Sequence, residues 1–554
     1  MAFDLKVTGP IPAAPVERPR LARWSTTRLA GWVFGVYLVV AMAVVIFGFG
    51  RYHWFLGDDW DFLSDRQIGS LHDLMRPHAE HWSTLPVIAY RLEWRLFGFH
   101  YWAYQVATMV MHLTAALLLR VVMRRAGVNP WLATAAAGIF VLFGPGEQNM
   151  LWSFQISMVG SLVFGLAHLI LAGHDGDRQR RDWLGLAAGL AALLCSGIGP
   201  VMVGAAGLAV LLRRGWRLAA FHTVPLTVIF LAWYVAYRDD MPKSAVRPGL
   251  RAVTGWLREA VLALFGGLGH FAVLGAALAV LLVVGLAVAV VPLVRARNWS
   301  ALRRRAPEPL ALLVAGLGFV LLTALSRSSF GAGVARSSRY VHVDALFVLP
   351  ALAVAADAVA RRWRVALPLV AGLLLLPIPW NISYFDSERT FFNTRYFRHK
   401  RHFVEGIAWS SVAERVPRSQ RPMRDILGGE GPSVGWLLDA RRDGKIQRPP
   451  KAAPELQEEI LIRLGVAQSF GDEAATPVGR RCRTYADPLR IDPRAGREFT
   501  LLTPVGVRLR GGTKPSLFAQ PFTPLAGKDL RIEVDGLSLT FAPLAPAASF
   551  RMCE

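Results

Sequence analysis

Eleven apolar runs punctuate the first 380 residues of this chain and leave it few ways to fold. They fall at about 29–49, 102–122, 130–145, 153–172, 183–196, 199–212, 217–237, 268–294, 308–325, 341–360 and 364–380. A hydrocarbon layer about 30 Å thick is crossed by about 20 apolar residues of helix. Lipid offers no partner to an unpaired backbone group, so each run that enters it must be helical. The third, fifth and sixth runs are short and read either as spans that borrow flanking residues or as half-helices. The first follows Arg18, Arg20, Arg23 and Arg28, is too long for the apolar stretch of a signal peptide, and has no small-residue cleavage site after it. It reads as an uncleaved anchor. With 53% apolar and only 18% charged residues, an ordinary soluble enzyme and a disordered chain are both excluded.

The formal charge is +23. Nucleic acid is one explanation and membrane topology is the other. Arginines cluster at the N-terminus, at Arg124 and Arg125, at Arg178, Arg180 and Arg181, at Arg213, Arg214 and Arg217, from Arg295 through Arg305, and at Arg361, Arg362 and Arg364. These positions are every second gap between the runs. The alternate gaps 145–152 and 197–200 hold no Lys or Arg. Basic residues stay on the cytoplasmic side, so the pattern places the N-terminus inside and requires an odd number of spans. Residues 50–101, 145–152, 238–267, 326–340 and everything after 380 then lie outside. The charge is accounted for by topology, and the expected partner is the bilayer, not nucleic acid.

The expected architecture is an all-α polytopic membrane domain of about 11 transmembrane helices, followed by an extracytoplasmic C-terminal domain. Residues 1–28 form a cytoplasmic tail, 29–380 the membrane domain with an outer loop at 50–101, and 381–554 the outer domain. A short interfacial helix is expected at 70–80, with Leu71, Leu74 and Met75 on one side. A second, at 250–265, is expected to run into the following span. The stretch 384–407 is aromatic and basic and suits a membrane face, and 420–465 reads as mixed helix and loop. Alternation at 499–510, at 529–542 with its Asp-Gly turn, and at 549–553 predicts strands of a small β-sandwich. Cys482 and Cys553 bracket that region on the oxidising side, and a disulfide is expected there in preference to two free thiols. Cys195 lies in an apolar run and reads as packing.

The sharpest chemical feature is Gly57-Asp58-Asp59-Trp60-Asp61, just past the first run. Paired carboxylates can deprotonate a hydroxyl or hold a divalent metal ion. They can equally form a solvated acidic loop. Adjacent Asp side chains converge on one site only through irregular backbone, which Gly57 permits. On the same face by charge counting stand His78 and His81, Glu147 after Gly144-Pro145-Gly146, and Arg336, Arg339 and Tyr340. Each has a plainer reading, with Arg339 as an interface anchor and Tyr340 as an aromatic-belt residue.

Together, GDDW at 57–60, a downstream His, the His112–Leu118 segment of the next span, a second loop with Pro145, Glu147 and Trp152, and SRY at 338–340 resemble the GT-C superfamily of multi-pass glycosyltransferases. That superfamily includes protein O-mannosyltransferases, arabinosyltransferases and lipid A sugar transferases. The resemblance covers about residues 29–380. It implies a polyprenyl-phosphate sugar as donor, a glycan, lipid or protein acceptor reached from the outer face of a bacterial plasma (inner) membrane, and a loop-one carboxylate as base. That role falls on Asp58 or Asp59, with Asp58 favoured. Gly-Pro-Gly replaces the family's His-Pro before Glu147, which leaves the role of Glu147 open. Members with a C-terminal soluble domain often bind sugar with it. In this chemistry Arg339, with Arg336 second, meets the departing lipid phosphate, and direct displacement inverts the anomeric centre. A transporter or flippase is the alternative, favoured by the broken stretch Ser196-Gly197-Ile198-Gly199-Pro200. A scaffold with an outer binding domain is the third reading.

The topology has a direct check. A reporter fused at residue 390 is expected to be active only if it works outside the cytoplasm. Labelling of that position from the cytoplasm would take the Asp pair and Arg339 off the outer face.

Overall fold

The computed structural model describes residues 20–242, 248–385, 394–422, 431–449, 454–468, 481–491, 498–501, 506–509, 528–532, 539–542 and 548–554. Every apolar run is helical. The first helix, Arg20–Ala43, continues through a wide turn at Val44–Phe49 to Tyr52, so helix already begins at Arg20, while the apolar span itself starts at Thr26. Among the described residues, eight helical stretches are long and apolar enough to cross a membrane. The expected count of about eleven is met only by adding three shorter helices, Pro130–Val141, Arg180–Leu193 and Gly199–Arg214. The last two are separated by residues 194–198, which include Ser196-Gly197-Ile198. Pro200 stands in the first turn of Gly199–Arg214, where its missing N–H costs nothing.

The segment expected to run from an interfacial helix into a span is instead two helices. Leu250–Gly269 ends at His270, whose φ is +60°, and helix resumes at Ala272–Arg295. A Cβ on Gly269 would lie 2.2 Å from the backbone nitrogen of Gly275. Only glycine allows the two helices to close so tightly.

Helix Ser338–Arg362 lies at the centre of the bundle. From Tyr340 to Ala353 every residue is buried, His342 and Asp344 included. Gly316 and Gly285 on neighbouring helices would clash with Phe347 and Ala355 if they carried a Cβ. Small residues that let helices approach closely replace the hydrophobic drive that lipid cannot supply.

A second core lies at the ends of the spans and is shared by the first loop and segments that follow residue 380. It unites the first loop (helices Asp59–Ser64, Leu71–Met75 and Thr84–Phe97) with helices Thr394–Ala408, Val434–Arg442 and Pro454–Gly465. Trp54, Phe55, Trp60 and Phe99 form an aromatic cluster, and Trp436 closes on it with its ring centroid 4.8 Å from that of Trp94. Large rings bury 150–250 Å² each, so this cluster dominates the local energetics. Arg421 adds a two-pronged ion pair to Asp65, at 2.8 and 3.0 Å.

The chain end forms two antiparallel sheets. One has five strands in the order β1 (Val466–Gln468), β6 (Lys528–Ile532), β4 (Glu498–Leu501), β8 (Phe550–Cys553), β2 (Cys482–Tyr485). The other has three, in the order β3 (Leu489–Ile491), β7 (Leu539–Ala542), β5 (Gly506–Leu509). Phe499 and Phe541 meet edge to face between the sheets, centroids 5.4 Å apart. Two expectations are corrected. The run 499–510 is not one strand but two, in different sheets, with Pro504 between them in sequence. The run 529–542 is not a hairpin, because its halves also lie in different sheets. The Asp-Gly pair itself, at 535–536, lies outside the described residues. Alternation reports which side chains face inward, but not which sheet a strand joins.

Cys482 and Cys553 are direct partners across β2 and β8 and form a disulfide. They are 71 residues apart in sequence, and closing such a loop constrains the unfolded chain by about 4 kcal/mol in the chain-entropy account. Peptide mapping without reductant is expected to recover the bridged pair. Cys482→Ser is expected to lower the domain's unfolding temperature. Two alkylatable thiols in the folded protein would rule the bond out.

Candidate functional site

The three aspartates of GDDWD have three different environments. Asp59 opens helix Asp59–Ser64 and is fully buried. Its Oδ2 accepts from the Leu56 amide at 2.8 Å and from Trp152 Nε1 at 3.1 Å. Its Oδ1 accepts from the Tyr90 hydroxyl and from Ser153 Oγ at 3.1 Å, and those two hydroxyls lie 2.8 Å from each other. Burial raises this carboxyl to about 7, even though all four donors pull the other way. Asp59 is therefore a joint between the first loop, helix Thr84–Phe97 and the second loop.

Asp61 is held by cations. Buried Arg66 reaches its Oδ2 through Nε at 3.0 Å and spends its other donors on the carbonyls of Asp73, Arg76 and Pro77. Arg76 reaches its Oδ1 at 3.0 Å, and His78 Nδ1 lies 2.8 Å from its Oδ2. Burial pushes the Asp61 carboxyl up, but His78 and Arg66 outweigh it and hold the group below the usual carboxylate range.

Asp58 remains. Gly57, at φ +55°, makes the turn that separates it from the two others. Its side chain is 39% exposed, and its Oδ1 lies 3.5 Å from His78 Nε2. His78 thus stands between two carboxylates. Burial would lower it, but Asp58 and Asp61 together raise it to about 9, so it is an imidazolium at neutral pH. Asp58 and Asp59 do not converge. Among the described residues no group of three or more His, Cys, Asp or Glu side chains could hold a metal ion, so the divalent-metal expectation for this pair finds no ligand set there.

Loop one docks on its neighbours near this point. His81 Nδ1 accepts from the Gly197 amide at 3.2 Å, so the glycine break in the helix pair Arg180–Leu193 and Gly199–Arg214 serves as a contact for loop one. Burial lowers His81 to about 4, and the charges of His78 and Arg339 push the same way. Arg327 pairs with Glu80, and Trp82 stacks on Trp233 with centroids 4.9 Å apart.

Arg339 lies in the first turn of Ser338–Arg362 with its guanidinium 5.4 Å from the Tyr340 ring, and among the described residues no carboxylate pairs with it. Arg336 does have a partner, Glu259, at 2.6 Å. The Tyr340 ring is buried against Trp256 and Phe319, which makes it helix packing. A cavity of about 490 Å³ lies beside these residues, lined by Glu147, Gln148, Gly266, His270, Arg336 and Tyr384 among others. Buried Glu147 therefore reaches this cavity but does not share the Asp58–His78 contact.

The second loop is fixed by a chain of rings absent from the sequence reading. His112 Nε2 lies 3.1 Å from the Val141 carbonyl, an acceptor only, so it carries the proton. His112 Nδ1 then accepts from His342 Nε2 at 3.0 Å, and His342 Nδ1 accepts from Asn149 Nδ2 at 3.0 Å. This directed chain clamps the residues that follow Glu147. Arg66, Tyr90, Ser153 and the paired role of His78 also went unread. Only His78, two residues past an Arg in the same loop, offered a signal.

No family model matches the sequence, and no curated protein matches it. Among solved structures, the chain is similar in outline to ArnT from Cupriavidus metallidurans in the apo state (15% identity, 76% of this chain and 90% of that one, TM-score 0.43). It is likewise similar to that protein bound to undecaprenyl phosphate (16%, 78%, 87%, 0.44). At this distance the likeness carries no inference about function.

The charged His78 bridge sets a pH dependence. A rise from 6.5 to about 9 corresponds to at most about 3 kcal/mol. Because the folded value is raised, that stability is full below pH 6.5 and is lost as pH climbs through 9. His78→Gln is expected to lower the unfolding temperature in detergent at pH 6, with the gap to wild type closing above pH 9. A gap independent of pH would mean that His78 acts through packing alone.

Proposed function

We propose that this chain is a membrane glycosyltransferase that moves a sugar from a polyprenyl-phosphate donor to an acceptor hydroxyl on the extracytoplasmic face, with Asp58 as general base. The observation that carries the reading is the division of labour in GDDWD. Asp59 is consumed by four donors and Asp61 by three cations, while Asp58 keeps an open face beside an imidazolium.

The chemistry follows from that arrangement. The acceptor oxygen attacks the anomeric carbon while a carboxylate oxygen of Asp58 takes its proton. The bond from the anomeric carbon to the phosphate oxygen breaks, and its electron pair stays on the phosphate. His78 orients the carboxylate through one oxygen and leaves the other for the acceptor. Arg339, which has no carboxylate to neutralise it among the described residues, meets the charge that grows on the leaving phosphate. Arg336 is already paired with Glu259 and is the weaker candidate. A lipid phosphate leaves readily, so no general acid is required, and displacement on one side inverts the centre. The contact of Gly197 with His81 gives the broken stretch a packing role, which weakens the case for a transporter.

The test is sugar transfer in membranes from a labelled polyprenyl-phosphate donor. Asp58→Asn keeps the shape and removes the basicity, and is expected to lower turnover about 10²-fold or more without loss of protein. Asp59→Asn is expected to act through stability, because four buried donors then face an amide and each mismatch costs about 1–3 kcal/mol. Arg339→Ala is expected to lower kcat and raise KM for the donor together, since it meets phosphate in both ground and transition states. Full activity in Asp58→Asn would shift the base to Glu147. A wild type that consumes no lipid-linked donor would end the transferase reading.

A further inference from the structure

Beyond the site already described, a second cavity of about 150 Å³ opens where the end of the first span meets the C-terminal helices. Its walls include Arg51, His53 and Trp54 from one side, His100 and Trp102 from a second, and Arg401, Glu405, Lys445 and Gln447 from the third. Its charge is uneven. Glu405 is taken by Arg401 at 2.7 Å. Arg51 and Lys445 have no carboxylate partner among the described residues. Lys445 spends one of its three donors on the Arg95 carbonyl at 2.6 Å and keeps two.

Two buried polar atoms of residues at the same wall, Trp54 Nε1 and His53 Nδ1, have no hydrogen-bond partner among the described residues. Trp54 Nε1 is a donor only. Burial lowers His53 to about 4 against a smaller pull from the Phe49 carbonyl. The ring is therefore neutral, with one nitrogen a donor and the other an acceptor, and Nδ1 is the one left without a partner among the described residues. The wall thus offers two cations without a carboxylate partner among the described residues, the Trp54 donor and one imidazole nitrogen. An anion satisfies the cations, and a hydroxyl, which both donates and accepts, satisfies the pair of nitrogens. His53 and Trp54 also line a narrow apolar slot that continues to Glu147 and Gln148, and those two line the larger cavity beside Arg336.

We infer that the cavity between the first span's end and the C-terminal helices binds an acidic saccharide, a sugar carrying a phosphate or carboxylate, as part of the acceptor. The assignment of this occupant as acceptor rests on the transferase reading. The binding chemistry does not. The donor's lipid is given to the larger cavity, while this smaller pocket sits at the ends of two spans, Thr26–Tyr52 and Tyr101–Arg125, and is closed by Arg401, Glu405, Lys445 and Gln447 from the helices and loop that follow the membrane domain.

The test is equilibrium dialysis of the full chain in detergent with labelled glucose 6-phosphate and, separately, glucuronic acid. No donor is present, so the result is independent of whether transfer occurs. At least one is expected to bind saturably, with unlabelled glucose failing to compete. Arg51→Ala and Lys445→Ala are each expected to weaken binding about tenfold or more, the loss of one charge-assisted contact, and Arg51→Lys to restore most of it. Failure of both probes to bind, or equal binding by Arg51→Ala and wild type, would overturn the inference. Competition by geranyl phosphate as strong as that by the sugar would assign the anion to the lipid and overturn the acceptor assignment.

Discussion

A carboxylate sealed from water needs a donor on every lone pair, and Asp59 obtains one from its own loop and three from segments that are distant in sequence. Leu56, Tyr90, Trp152 and Ser153 all spend a proton on it. The requirement works in both directions, because each donor would be unsatisfied without the carboxylate. First loop, amphipathic helix and second loop are thereby locked at one point. The lock fixes the backbone of the neighbouring residue, and so the direction in which Asp58 faces.

The distribution of cations has the same logic. Buried Arg66 and half-buried Arg76 are committed to Asp61 and to loop carbonyls, and Arg421 to Asp65. Arg336 is committed to Glu259. Arg339, Arg51 and Lys445 have no carboxylate partner among the described residues, and these are the cations proposed above to meet an anion. A net charge of +23 says nothing about this. What matters is which basic groups the fold has already neutralised.

The spans were legible because hydropathy over 20 residues is a strong signal, and the disulfide because few cysteines leave few pairings. The site was legible only in part. Two adjacent aspartates carry the same side chain, and their difference lies in partners up to 94 residues away that no local pattern reveals. Tyr340 read as a site residue because SRY is a motif, yet its ring faces Trp256 and Phe319. The pairing of His112 with His342 carries no local signal, because 230 residues separate two rings that are hydrogen-bonded to each other. Strand pairing failed for the same reason: pairing is a long-range choice, and alternation is a local one.

The aromatic core shared by residues 54–104 and 397–464 has a consequence for the order of events during synthesis. Trp54, Trp60 and Trp94 emerge from the ribosome about 340–380 residues before Trp436, the ring that covers them. Until then their faces have no final partner, while all the remaining membrane helices are made and inserted. The segment that presents Asp58 is therefore among the first made and the last completed. A nascent chain at this stage holds an uncovered aromatic surface, the kind of surface that chaperones and misassembly compete for. The rate at which the last helices arrive sets how long that competition lasts.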